Sequence, residues 1–279
     1  MNAYLETRSY SSKLPIAAFP KQDDNYLAHW HIEVEMAFVC EGSIRIGINN
    51  ESKILHKGEL AICSSTDIHF YDSTGLNSTI LVVVFRPEII GSPGGWPENL
   101  LFVSPFISKE QFEILSDQTQ KEIPEIFYSI VNEIKAKKPF YELYVKGKIS
   151  ELCALIIRHF PTISVKSVKR NFKPPDIQKI QYAIHYIENN FMTEMSLDDI
   201  SKKTNLSSSY FSRLFRQFTG MNFKSYLDRV RVNNAEDLLK ANEKSIIDIS
   251  FACGFSSLRT FNRIFKSVKG YTPSKTRSI

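Results

Sequence analysis

Apolar and polar residues alternate in short runs between Ala28 and Phe85, the period-two pattern of β-strands with one buried face. Turn-forming residues separate the runs, among them Gly42, the pair Asn49-Asn50, and Gly58. Several short strands at this spacing predict an antiparallel barrel or jelly roll. The predicted strands are Val34–Val39, Ser43–Ile48, Lys53–Leu55, Glu59–Cys63 and Thr79–Phe85. Residues 1–25 lack the pattern and are predicted to form a polar arm.

Helical periodicity replaces the alternation over residues 109–160. Two amphipathic helices are predicted, Ile123–Lys137 and Tyr141–Phe160, separated at Lys138-Pro139. The second helix has apolar residues along one side, namely Leu143, Ile149, Leu152, Leu155 and Ile156. This side is a candidate for self-association into a homodimer, and the equally weighted alternative is that it packs on the barrel.

The stretch Ser196–Thr219 predicts a short helix, a three-residue turn and a second helix, with Ser207 or Ser208 as the cap of the second helix. One side of this second helix is apolar, through Phe211, Leu214, Phe215 and Phe218, while the other side is polar and cationic. This arrangement is typical of a helix-turn-helix, in which the second helix lies in the major groove of DNA. Taken singly, an amphipathic helix with arginines on one side is more often a solvated surface.

The same pattern returns about 50 residues later, in Ile246–Gly270, with cationic residues at matching positions. Solvation alone does not require such matched cations in two capped helices, so the repeat favours DNA binding. The predicted helix Asn222–Ala241 separates the two copies by about 30 Å, close to the roughly 34 Å between successive major-groove faces. The predicted DNA-binding residues are Ser208, Ser209, Ser212, Arg213, Arg216, Gln217, Arg259, Thr260, Asn262, Arg263 and Lys266.

These residues resemble the DNA-binding domain of the AraC/XylS transcription regulators over roughly Asp176 to Arg277. The matching positions include Leu197 to Ile200, Tyr210 to Arg213, Arg231, Gly254-Phe255 and Thr272-Pro273. Departures are Ser201 and Ser250 where the family prefers Ala, Asn262 where it usually has Ser, and Thr276 where Tyr is common. The resemblance implies a promoter-binding regulator with an N-terminal effector domain, and double-stranded promoter DNA as its partner. RNA polymerase is a further candidate partner.

The segment His29-Trp30-His31, followed by Glu35 and later by His69, resembles the two cupin motifs, except that Thr66-Asp67 replaces the Pro expected before the second His. In a cupin enzyme, His29, His31, Glu35 and His69 would bind a metal. AraC/XylS regulators generally keep this pattern in a barrel without a metal. The interpretation preferred here is therefore a site for a small polar, sugar-like effector, with no cofactor or metal and no enzymatic activity. Its candidate residues are His29, Trp30, His31, Glu35, Phe38, His69 and Tyr71. A cupin metalloenzyme fused to a DNA-binding domain is the alternative.

Composition agrees with two domains of different charge. Residues 166–279 contain 20 Lys+Arg against 10 Asp+Glu, whereas residues 1–165 contain 15 against 20. A basic half joined to an acidic half is typical of a polyanion-binding module linked to another function. The four cysteines have no metal or redox spacing, and no signal peptide or long apolar span begins the chain. We therefore expect a cytoplasmic α+β protein with no membrane partner, divided into an effector and dimerisation domain (1–160), a linker (161–175) and a DNA-binding domain (176–279).

Overall fold

The computed structural model describes residues 14–23, 25–91, 100–164, 174–241 and 244–276. Most of the predicted arm and most of the predicted linker lie outside these residues. The chain divides into two compact units. One contains most of the β-strands and the first three helices, and the other contains the remaining helices together with Leu27–His29.

The first unit is built on a long strand, β3 (Val34–Ile48). It follows β1 (Ile16–Gln22) and β2 (Asn25–His29), and β4 (Glu51–His56), β5 (Leu60–Cys63), β6 (His69–Asp72) and β7 (Ser78–Phe85) come after it. The first half of β3 pairs antiparallel with β7 and β5, and its second half pairs with β4 and β6. Strand β1 adds to β7, β2 to β6, and β9 (Phe106–Ile107) to β5. A separate two-stranded sheet joins β8 (Leu100–Phe102) to β10 (Thr162–Ser164), so part of the predicted linker is a strand.

Gly42 does not end a strand, contrary to the sequence-based prediction. The pairing of β3 with β7 shifts between Val39 and Glu41, and β3 then continues as one strand of 15 residues. Gly42 has φ of 68°, and a Cβ atom there would lie 1.9 Å from the Asn77 carbonyl oxygen. A glycine is therefore required where the bulged strand approaches its neighbour. The strands β1, β2 and β6 were also not predicted. Strand β1 lies in the segment predicted to be a polar arm, and its sequence IAAFPKQ does not alternate between apolar and polar residues.

Alternation along β3 creates two separate cores. Met36 and Phe38 face a core that includes α2 (Asp117–Ala136) and α3 (Tyr141–His159), while Ala37 and Val39 belong to a second core on the other face. A short helix, α1 (Lys109–Glu113), also packs in the first core through Phe112, and Pro87–Ile90 forms a 3-10 turn.

The predicted apolar side of α3 divides between two environments. Ile149, Leu152 and Ile156 are fully buried in the core with α2, which agrees with the packing alternative. Leu143, near the start of the helix, is 72% exposed. The self-association surface can therefore include only the N-terminal end of this predicted side.

The second unit consists of helices. They are α4 (Pro174–Asn190), α5 (Leu197–Lys203), α6 (Ser208–Thr219), α7 (Phe223–Ala241), α8 (Ile246–Ala252), α9 (Leu258–Lys269) and α10 (Pro273–Thr276). The bounds of α5 to α9 agree closely with the prediction. One residue of α7 was assigned wrongly: Leu238, predicted to face inward, is 37% exposed, while Leu239 is fully buried. Among the described residues, no helix is both long enough and apolar enough to cross a bilayer.

Candidate nucleic-acid interface and histidine cluster

The turn between α5 and α6 is fixed by short polar contacts. Ser207 is the N-cap of α6, and its side chain accepts a hydrogen bond from the Tyr210 amide. The Ser208 hydroxyl donates to Asp198 Oδ1 at 2.5 Å and lies 3.0 Å from the Ser201 hydroxyl. Because Asp198 and Ser201 belong to α5, these bonds fix the start of α6 relative to α5. Ser208 thus has a structural role besides the DNA contact predicted for it.

Helix α6 buries one side and exposes the other. Phe211, Phe215 and Phe218 are fully buried, and Phe215 packs edge-to-face on Tyr226 of α7 with ring centroids 5.3 Å apart. On the opposite side Ser209, Arg213, Arg216 and Gln217 are exposed, while Ser208 and Ser212 are partly buried. The Arg213 guanidinium lies over the Tyr210 ring, 5.2 Å from its centroid. This cation–π contact orients the arginine on the helix surface.

Helix α9 repeats the arrangement. Its N-cap Ser257 accepts a hydrogen bond from the Thr260 amide and donates to the Thr260 hydroxyl at 3.0 Å. Phe261 and Phe265 are fully buried. The exposed side carries Arg259, Asn262, Arg263 and Lys266, and Thr260 is partly buried.

The loop that follows α4 makes two contacts that position the second helix-turn-helix. Gly254 has φ of 80°, and a Cβ atom there would lie 2.7 Å from the Phe191 carbonyl oxygen. Arg231 of α7 donates to the same carbonyl at 2.8 Å and to the Thr193 carbonyl at 2.9 Å. Burial lowers the pKa of Arg231, although Asp228 opposes the change. Arg231 and Gly254 matched the family pattern in the sequence, and the structure assigns both to packing of the loop after α4.

Three of the predicted residues, His31, Glu35 and His69, come together in the first unit's sheet. One ligand atom from each of His29, His31, Glu35 and His69 lies within 4.8 Å of the others. All four residues are 1–2% exposed. Glu35 is central: its Oε2 lies 3.3 Å from His31 Nε2, its Oε1 lies 3.6 Å from His69 Nε2, and Oε1 accepts a 2.5 Å hydrogen bond from Tyr71. The group of His29, His31, Glu35 and His69 is called the histidine cluster below.

Each imidazole in the cluster is oriented by a main-chain carbonyl. The Nδ1 atoms of His29, His31 and His69 lie 2.9, 3.2 and 2.9 Å from the carbonyl oxygens of Leu27, Glu33 and Asp67. A carbonyl can only accept, so each Nδ1 carries the proton. In the neutral ring the lone pair is then on Nε2.

Glu33 is a neighbour of the cluster that the sequence did not identify. It is 1% exposed, its Oε2 lies 3.6 Å from His31 Nδ1, and Arg86 donates to its Oε1 at 3.4 Å. The sequence could have indicated this position, because Glu33 is two residues from both His31 and Glu35 and side chains two apart on a strand share a face. Cys63, paired with Glu35 across the sheet, does not join the cluster. Burial raises the pKa of its thiol well above the ordinary value, and Glu35 and Asp67 add to this.

One residue predicted to line the effector pocket, Phe38, lies in the other core. Phe38 stacks on Phe127 of α2 with ring centroids 5.5 Å apart, and it belongs to the helix-facing core. Phe38 is therefore not a wall of the histidine cluster, because it is three residues from Glu35 and points to the opposite face of β3. The Trp30 side chain is partly buried, and its Nε1 atom is buried with no hydrogen-bond partner in the described part of the chain. Tyr71 contacts the cluster through its hydroxyl, which donates to Glu35 Oε1.

Two capped helices that expose matched cations define a DNA-binding protein of the helix-turn-helix class. Residues 200–279 match a helix-turn-helix domain family. The Msm operon regulatory protein of Streptococcus mutans is 27% identical over 92% of this chain and 86% of its own length. The transcriptional activator RhaR of Yersinia pestis is 22% identical over 98% of this chain and 93% of its own length. The chain is a DNA-binding transcription regulator, and its C-terminal part is similar to the DNA-binding domains of AraC-type regulators.

A solved structure resembles the C-terminal part. It is an AraC-type DNA-binding regulator from Chromobacterium violaceum, 34% identical over 36% of this chain and 90% of its own length, with a TM-score of 0.35. The relatives are transcription regulators, and none of them supports the alternative of a metalloenzyme.

Proposed function

We propose that α6 and α9 each enter a major groove of promoter DNA and that the exposed side of each helix makes the contacts. The observation that supports this most directly is the matched exposure of Arg213 and Arg263, each opposite two fully buried phenylalanines. Arginine is suited to this position because its guanidinium can donate two hydrogen bonds to one guanine. The other contact residues are Ser209, Arg216, Gln217, Arg259, Asn262 and Lys266, with Ser208, Ser212 and Thr260 at the partly buried margin.

The DNA interface is tested by changing one arginine in each helix. The probe is a DNA fragment selected from the source genome by the full-length protein. Arg213→Ala and Arg263→Ala should each weaken binding about 5- to 150-fold where the arginine reads a guanine. Where it contacts a phosphate instead, the slope of log affinity against log salt should fall by about one. Lys121→Ala removes the same charge from the exposed surface of α2 and serves as the control.

The melting temperature of each variant shows whether the domain remains folded. Both arginines are exposed, so neither change should unfold it. Unchanged affinity and unchanged salt slope in the Arg213→Ala, Arg263→Ala double variant would contradict the proposed interface.

The first unit is proposed to sense a small polar effector at the histidine cluster. Buried imidazoles, a carboxylate and the Tyr71 hydroxyl are groups that recognise a hydroxylated ligand such as a sugar. Effector binding would then change the affinity for the promoter, and recruitment of RNA polymerase would follow from the bound state. Such control requires two states of the protein that differ in effector affinity.

The protein is also proposed to act as a homodimer. Support comes from apolar side chains on the surface where α2 and α3 meet: Phe140 is 85% exposed, Leu143 72% and Tyr144 46%. Burying this group in a second copy would remove apolar area from water. Sedimentation of the full chain at several concentrations measures whether it has the mass of one or two copies.

A further inference from the structure

Arg213 lies on an aromatic ring that belongs to the preceding turn of α6. Its guanidinium is 5.2 Å from the centre of the Tyr210 ring. The two residues are three positions apart, and side chains with this spacing are neighbours on one face of a helix. The face of an aromatic ring attracts a cation through the quadrupole of the ring. Arg213 therefore has a preferred position on the helix surface before any DNA is bound.

The Tyr210 ring is itself held at its far end. Its hydroxyl donates to Asp176 Oδ2 at 3.2 Å, and Asp176 belongs to the first turn of α4. The ring is thus attached to α6 through its own main chain and to α4 through its hydroxyl. Because both ends of the side chain are held, the ring is a fixed support for the guanidinium of Arg213.

The position of the ring draws Arg213 toward the N-terminal end of α6. Side chains on an α-helix lean toward the N-terminus, and Tyr210 is about one turn closer to that end than Arg213. In a helix-turn-helix, residues near the N-terminus of the second helix contact the base edges in the major groove. The contact with Tyr210 therefore favours a position of the guanidinium from which it can meet a base.

The second helix-turn-helix has no aromatic residue at the matching position. Thr260 of α9 corresponds to Tyr210, and Arg263 corresponds to Arg213. The Thr260 hydroxyl accepts a hydrogen bond from the Ser257 hydroxyl at 3.0 Å, and this side chain offers no ring to a cation. Both arginines are exposed. An aromatic support one turn before the arginine is thus a feature of α6 that α9 does not share.

We propose that Tyr210, anchored by Asp176, is a positioning residue that orients Arg213 to read a guanine in the major groove. The inference rests on the DNA interface proposed above and identifies what prepares one of its contacts. Two parallel hydrogen bonds to one guanine require a defined orientation of the guanidinium. Ordering a flexible side chain on binding lowers affinity about 2- to 10-fold. Tyr210 removes part of this loss in advance, and its effect is confined to the base pair that Arg213 contacts.

The base pair that Arg213 reads is located first. The full-length protein is titrated with the selected promoter fragment and with fragments in which each base pair is changed in turn. Arg213→Ala should lose discrimination at one base pair, which is the one that Arg213 reads. Tyr210→Leu then removes the ring but keeps an apolar side chain that favours a helix. It should lower discrimination at that base pair about 2- to 10-fold and leave the other base pairs and the salt slope unchanged.

Three comparisons separate positioning from a general loss of structure. In a protein that already carries Arg213→Ala, Tyr210→Leu should have no further effect on affinity, because the guanidinium that the ring supports is absent. Tyr210→Phe keeps the ring and loses only the bond to Asp176, so it should retain more discrimination than Tyr210→Leu. Tyr182→Leu makes the same change at an exposed tyrosine of α4 and should match the unchanged protein.

Several results would overturn the role of Tyr210 while leaving the DNA interface standing. They are an equal loss at every base pair in Tyr210→Leu, the same loss with and without Arg213, and full discrimination in Tyr210→Leu. A fourth is an Arg213→Ala variant that lowers the salt slope without losing discrimination, since Arg213 would then contact a phosphate. If Arg213→Ala changed neither the affinity nor the salt slope, Arg213 would lie outside the DNA interface and the role of Tyr210 would fail with it.

Discussion

The two helix-turn-helix copies use the same apolar packing but different polar supports. In each copy a serine-capped second helix buries phenylalanines at matching positions, Phe211 and Phe215 in α6 and Phe261 and Phe265 in α9. The start of α6 is tied to α5 by Ser208 and Asp198, whereas Ile247 replaces Asp198 in the second copy and is 47% exposed. The repeat therefore preserves the core and the cationic side, while the contacts around them have diverged.

The C-terminal ends of α6 and α9 differ more strongly in the hydrogen bonds that hold them. At the end of α6 the Thr219 hydroxyl donates to the Phe215 carbonyl at 2.7 Å, a neutral contact within the helix. At the end of α9, Lys269 donates to Glu236 of α7 at 2.9 Å, and Tyr271 donates to the same carboxylate at 2.5 Å. The end of the second copy is thus anchored to α7 through a charged group, whereas the Thr219 contact at the end of the first copy is neutral. This difference predicts that the end of α9 contributes a stability that depends on pH in the acid range and that the end of α6 does not.

The largest expected effect tests what the copies share. Phe215→Ala and Phe265→Ala each remove a fully buried ring, and each should lower the free energy of unfolding by about 3–5 kcal/mol. Urea unfolding followed by circular dichroism measures both variants. Similar losses would support equivalent cores in the two copies. If one variant lost less than about 1 kcal/mol, the corresponding ring would not be a core residue and the comparison would fail.

A smaller effect is expected where the copies differ. Burial opposes ionisation of Glu236, but the hydrogen bonds from Tyr271 and Lys269 outweigh it and lower the pKa of this carboxyl below its ordinary value of 4.5. A lowered pKa in the folded state means that the stabilisation is fully present above about pH 4.5 and is lost as the pH falls through the folded value. Glu236→Gln should therefore cost about 1.5–3 kcal/mol at neutral pH, the range for hydrogen bonds to a charged group.

The control for Glu236 lies at the end of the first copy. Thr219→Val removes a neutral hydroxyl at the position that corresponds to Lys269 and introduces no charge. Its free energy of unfolding should keep the same slope between pH 6 and pH 3 as that of the unchanged protein, whereas Glu236→Gln should flatten the slope. Equal slopes in all three proteins would mean that the carboxylate does not anchor α9.

The sequence predicted the helical half of the molecule better than the sheet half. The bounds of α5 to α9 follow from local signals, since capping serines, apolar stripes and the terminal glycines Gly220 and Gly270 are all within a few residues of what they define. The strands depend on partners far along the chain. That is why β1 and β6 were missed and why Gly42 was taken for a break in β3. The same limit explains Phe38: its residue type suited a pocket wall, but alternation from Glu35 places it on the opposite face.

The histidine cluster was predicted in identity but not in detail. The motif specified which imidazoles and which carboxylate would meet, and the structure brings His29, His31, Glu35 and His69 together. The carbonyl that orients each ring, and the contact between Glu33 and Arg86, depend on main-chain positions that no motif specifies.

The smallest effect concerns the hydrogen bonds that join Ser208 at the start of α6 to Asp198 and Ser201 of α5. Ser208→Ala removes the hydroxyl that bonds Asp198 and Ser201, and it should cost about 0.5–1.5 kcal/mol of stability. Ser256→Ala changes an exposed serine in the turn of the second copy and should remain within about 0.5 kcal/mol of the unchanged protein. Both are measured by urea unfolding at neutral pH.

If the hydrogen bonds of Ser208 also set the angle of α6, Ser208→Ala should weaken promoter binding even at low salt, whereas Ser256→Ala should not. Equal stability and equal affinity in the two variants would mean that the turns of the two copies are held in the same way, by their apolar contacts alone.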